Sequence, residues 1–149
     1  MFTRIGSRLL LLLSLLIPAM TAQADKMISD DRYEIHYNAF YSTFLLPEVA
    51  QRHNLTRSNV RAMLNVTVLE KQSDGTTRVV AADVNGQVSN LLQQQQTLNF
   101  VAIEEANALY YIGDFRITND EQLTINLTVR PEGAPSTYRI RFEQTFYTD

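Results

Sequence analysis

"LTINLTVR", Leu123 to Arg130, decides the fold. Leu123, Ile125, Leu127 and Val129 alternate with Thr124, Asn126, Thr128 and Arg130. Successive side chains of an extended chain point to opposite sides, so this period of two sets one face on a core and the other in water. The next run repeats the pattern: Tyr138, Ile140 and Phe142 alternate with Arg139, Arg141 and Glu143. Between the two, "PEGAPS" (131–136) supplies two prolines and a glycine, which break a ladder and favour a turn. A hairpin follows.

The same period extends towards the N-terminus. Ala62, Leu64, Val66 and Val68 alternate with Asn65 and Thr67, and "SDGT" then offers Asp74-Gly75 for a tight turn into a returning strand, Thr77 to Ala82. Asn85-Gly86 reads as a further turn or bulge. Residues 97–103 and 108–117 continue the series, with "TNDEQ" closing the latter, and Tyr33 to Tyr41 opens it. About eight strands without alternating helices predict an all-β protein, an immunoglobulin-like two-sheet sandwich of antiparallel strands, with a closed barrel as the second arrangement. One short crossover helix is expected over Pro47 to His53, where the proline suits a first turn and Glu48 the positive end of the helix dipole.

The N-terminus sets the expected compartment. Arg4 and Arg8 precede an apolar run from Leu9 to Ile17, Pro18 ends it, and Ala22-Gln23-Ala24 fits a signal-peptidase site. Residues 1–24 therefore read as a cleaved signal peptide, and 25–149 as a single periplasmic domain. The apolar run is about half the roughly 20 residues that a spanning helix needs. The chain contains no cysteine, so neither a disulfide nor a lipid-bearing cysteine is available. Removing Arg4 and Arg8 from 13 Lys+Arg leaves 11 against 16 Asp+Glu, a formal charge of −5. Such a surface repels nucleic acid and anionic membranes.

"YEIHYNAFYSTFLLPEVA" (33–50), "LTRSNVRAMLNVTVLE" (55–70), "ALYYIGDF" (108–115) and "FEQTFYTD" (142–149) together resemble the exported bacterial family known as domain of unknown function 4426. The resemblance spans nearly all of the mature chain. It implies a small exported immunoglobulin-like β-domain and carries over no catalytic residue.

Motifs for chemistry are sparse. His36 and His53 sit in no metal-binding or catalytic spacing, and Met27 and Met63 are too few and too far apart in sequence for a soft-metal site. Asp30-Asp31, Glu104-Glu105 and Asp120-Glu121 fall at strand ends or turns, where adjacent acids point apart rather than facing each other. There is no nucleophile elbow, phosphate-binding glycine loop or dinucleotide fingerprint. The chain reads as a non-enzyme with no cofactor and no metal. "QQQQ", Gln93 to Gln96, reads as a solvated connection. The Asn-x-Thr triplets at Asn54, Asn65 and Asn126 need no glycan, since the last two fit strand alternation.

Five rings crowd residues 33 to 44. Tyr33, Ile35, Tyr37, Ala39 and Tyr41 share the core parity, whereas Phe40 and Phe44 share the other with Glu34, His36 and Asn38. Two readings follow for Phe40 and Phe44. Either the segment after Pro47 folds back over them with Leu45, Leu46, Val49 and Leu55, or they stay exposed and receive a partner. Arg52, Arg57 and Arg61 follow closely, a local basic patch in an acidic protein. Phe40, Phe44, Arg52, Arg57 and Arg61 are thus the candidate partner-binding residues, suited to an envelope protein or an acidic, extended peptide. The leading expectation is a periplasmic accessory or interaction module, and the alternative is a carrier of a small apolar or aromatic ligand.

Overall fold

The computed structural model describes residues 26–148. The expected signal peptide, 1–24, lies outside them. No helix among the described residues is long and apolar enough to cross a membrane.

Among the described residues, ten strands form an open, immunoglobulin-like sandwich of two antiparallel sheets. One sheet runs β1 (Lys26–Ser29), β2 (Tyr33–Tyr41), β3 (Arg61–Lys71), β8 (Ala108–Arg116), β7 (Phe100–Glu105), with β4 (Thr77–Val79) also paired to β3. The other runs β10 (Tyr138–Phe146), β9 (Glu121–Pro131), β5 (Ala82–Ser89), β6 (Gln95–Leu98). The expected hairpin is β9 and β10, with Leu127 opposite Ile140 and Ile125 opposite Phe142. The inward parity of β9 meets that of β2 and β3 across the sandwich. Leu123, Ile125, Leu127 and Val129 pack with Tyr33, Ile35, Leu64, Val66 and Val68 in one buried cluster. Fully burying each such side chain contributes about 1.5–3 kcal/mol.

The count exceeds the expected eight or so because β1 (Lys26–Ser29) lies outside the expected runs and because the chain changes sheets inside two of them. Thr77 to Ala82 is not one returning strand: Val79 still pairs with Leu69, but by Ala82 the chain has joined β9 in the other sheet. A single residue, Asn99, likewise separates β6 in one sheet from β7 in the other. At this second seam the Gln96 side chain acts as a missing strand. Its carboxamide donates to the Arg116 carbonyl at 2.9 Å and accepts the Arg116 N–H at 2.8 Å.

Two local readings are corrected. Asn85-Gly86 is neither turn nor bulge but the middle of β5, where Gly86 pairs with Leu127 on one side and Leu98 on the other. A Cβ there would come within 2.9 Å of the Leu127 and Leu98 methyl carbons, so glycine serves close packing, not a turn. The Gln93–Gln96 tract is only partly a connection. Gln95 and Gln96 lie in β6, and Gln94 accepts a hydrogen bond from the Asn90 side chain.

Candidate functional site

The link from β2 to β3 builds the candidate site. A 3-10 turn, Ser42–Phe44, and helix α1, Pro47–Arg52, carry the chain over the outer face of the larger sheet. Proline occupies the first turn of α1 with Glu48, and His53 follows as its C-cap, as the sequence predicts. Asn54 then takes a left-handed conformation, φ 54°, which lets the chain leave the helix. Under this cover the outward residues of β2, β3, β7 and β8 form a second apolar cluster. Met63, Ile103 and Ile112 are buried, with Phe40, Leu45, Leu55, Val101 and Tyr110 packed against them.

The two rings of the candidate set therefore part. Phe40 is half-buried in the second cluster, whereas Phe44 is 74% exposed and Leu46 64%. Phe44 nevertheless has a fixed seat. Its ring meets Tyr41 edge-on at 5.8 Å, Tyr41 meets Phe146 at 5.8 Å, and Phe146 meets Phe115 at 5.6 Å. A stack of rings thus leads from the core to the surface. The fully buried Ser42 hydroxyl closes the loop, donating to the Ser58 carbonyl and accepting the Ser58 N–H, each at 2.8 Å.

The arginines also divide. Arg61 is held by Asp114 at 2.5 Å, both side chains about three-quarters covered. Arg52 meets Glu105 at 3.5 Å on the surface. Arg57 donates to the Thr43 carbonyl at 3.0 Å and meets no carboxylate among the described residues, so it braces the turn beside Phe44 and keeps its charge uncompensated.

The exposed apolar surface is concentrated around this loop. Of seven large hydrophobic residues exposed among the described residues, six lie at this end of the sandwich: Phe44, Leu46, Val60, Leu91, Leu92 and Tyr147. Sequence reading missed Leu91 and Leu92, at the tip of the β5–β6 hairpin, because two adjacent leucines look like a strand fragment. Tyr147 is tied to the same end by its N–H, which donates to the Tyr41 hydroxyl at 3.0 Å. Between the hairpin and Val60 opens a cleft of about 450 Å³, floored by Val88, Ile117 and Leu123 and rimmed by Asn90, Gln95 and Arg116.

The opposite end is closed by polar contacts. Asp30 accepts hydrogen bonds from the Tyr138 hydroxyl and the Arg32 and Tyr33 N–H groups. The Tyr138 bond, followed by the two backbone donors, holds the Asp30 carboxyl below the ordinary value. Burial, and then that same bond, pushes Tyr138 up to about 12. Glu70 lies between Arg78, at 2.8 Å, and Arg32, at 3.4 Å. The hydrogen bond from Arg78 leads in lowering its pKa. No three His, Cys, Asp or Glu side chains gather as a metal site among the described residues.

Known proteins place this architecture. A crystal structure of a DUF4426 family protein from Pseudomonas aeruginosa superposes with a TM-score of 0.76 at 29% identity, covering 86% of this chain and 98% of that one. FetP of uropathogenic Escherichia coli, expressed in the periplasm, superposes at 0.59 with 9% identity, covering 83% and 94%. A copper-bound variant of FetP gives 0.60 with 8% identity, covering 83% and 95%. At these identities FetP shares the fold alone. No curated protein matches the chain. The family described as Domain of unknown function (DUF4426) matches residues 27–149, and the chain belongs to it.

Proposed function

We propose that this protein is a non-enzymatic accessory module of the bacterial periplasm that holds an acidic, extended segment of an envelope protein at its apolar end. The observation that carries this reading is Phe44, exposed on a loop that a buried serine, an arginine and a ring stack hold in place. An exposed ring held in one position gives contact area at little entropic cost on binding, which suits an anchor residue. Arg57 supplies the uncompensated cation for an acidic partner, and Leu46, Val60 and Tyr147 extend the apolar surface. The signal-peptide reading of residues 1–24 and the periplasmic location of expressed FetP support the compartment.

The carrier alternative has less support. Side chains from both sheets fill the space between them, and the 450 Å³ cleft lies open at the surface. Photo-crosslinking tests the interaction reading. A photoreactive phenylalanine analogue at Leu46 should give one adduct with an envelope protein in living cells, lost on Phe44→Ala, whereas the same probe at Arg139 should give none. An adduct at Leu46 that survives Phe44→Ala would overturn the assignment.

A further inference from the structure

A different face brings together residues that are far apart in sequence. Strand β1 adds to the edge of β2 with Met27 directly opposite His36 and Ile28 opposite Ile35. Ile28 packs into the main core, so Met27 and His36 share the outer face of the larger sheet. Directly opposed residues have Cβ atoms about 4.5–5.5 Å apart. Glu34, two residues from His36 on that face, brings its Oε2 to 3.2 Å from His36 Nε2. Strand register thus places a thioether beside an imidazole and a carboxylate on one face of the sheet edge.

The ionic partner of Glu34 among the described residues is His36, and no arginine or lysine bridges to it there. The imidazole and carboxylate side chains are 33% and 25% exposed, so they are partly desolvated yet reachable, and Met27 is half exposed beside them. The His36 ring also borders a cleft of about 240 Å³ shared with Asn65. There the buried Asn65 Oδ1 has no hydrogen-bond partner, and a ring N–H facing away from a bound ion needs such an acceptor.

We propose that Met27, Glu34 and His36 form a binding site for one Cu(I) ion on the outer face of the larger sheet. A soft thioether favours Cu(I), imidazole suits copper, and the Glu34 carboxylate, which no arginine or lysine neutralises among the described residues, supplies negative charge. The hard cations Mg²⁺ and Ca²⁺ want many oxygen ligands, which this group lacks.

The test uses the exported protein as purified, stripped with a chelator and titrated anaerobically with Cu(I) against bicinchoninate, with Zn(II) as a comparison. One equivalent of Cu(I) should be retained, and the Met27 methyl and His36 ring NMR signals should shift together. Met27→Leu should weaken Cu(I) by about tenfold or more while changing Zn(II) binding by less than about threefold, because only Cu(I) draws on the thioether. His36→Gln should abolish both. No Cu(I) retained by the parent protein, or retention unchanged in either variant, would overturn the site. The signal shifts in the unmutated protein keep the result readable if a variant folds poorly.

Discussion

The two ends of the sandwich handle exposed surface in opposite ways. At the end holding Asp30, Glu70 and Tyr138, charges are matched to hydrogen-bond donors and arginines. At the end holding Phe44, Leu92 and Tyr147, large apolar side chains face water. Both ends join strands of the same two sheets, so the fold does not require the difference. A polar closure lowers the free energy of the folded chain, whereas an exposed ring contributes little until something covers it. The contrast sets apart the end at which the docking surface is proposed.

Breaking the framework under both ends should have the largest effect. Tyr37, 9% exposed, meets Phe142 at 5.2 Å across the sandwich, and Tyr37→Ala should cost about 3–5 kcal/mol in urea denaturation. Ser42→Ala should cost about 1–3 kcal/mol, because it leaves the Ser58 N–H without its acceptor. Hydrogen exchange in residues 42–60 should accelerate in that variant, while the Asp30 end keeps its protection.

The polar end should show itself through pH. Asp30 has a lowered pKa, so its stabilising contribution is complete above its unfolded value near 3.8 and is lost as pH falls through the folded value. Tyr138 has a raised pKa, so its contribution is complete below 10 and is lost as pH rises from 10 towards about 12. Tyr138→Phe should cost about 1 kcal/mol at neutral pH and remove most of the alkaline slope seen in thermal melts. The same substitution should leave crosslinking at Leu46 unchanged, which separates stability at one end from binding at the other.

Much of the fold was legible because it rests on a local rule. Alternation in Leu123 to Arg130 and in Ala62 to Val68 set which side chains entered the core, and the turn at 131–136 set one pairing. The sheet changes at Ala82 and Asn99 were not legible, since a strand that leaves one sheet for another keeps its alternation. Gly86 misled for a related reason: the sequence shows a flexible residue but not the leucines on either side of it. Phe40 and Phe44 share a parity, yet a proline-led crossover covers one and stops short of the other. Met27 and His36 are nine positions apart, and only strand register makes them neighbours.

The account rests most directly on Phe44 being held outside the core. Paired urea denaturation of Tyr37→Ala and Phe44→Ala measures this without knowledge of any partner. Phe44→Ala should shift stability by less than about 1 kcal/mol, the scale of its edge-on contact with Tyr41, against about 3–5 kcal/mol for Tyr37→Ala. If Phe44→Ala unfolds as early as Tyr37→Ala, the ring belongs to the core in solution and the apolar end is not a docking surface.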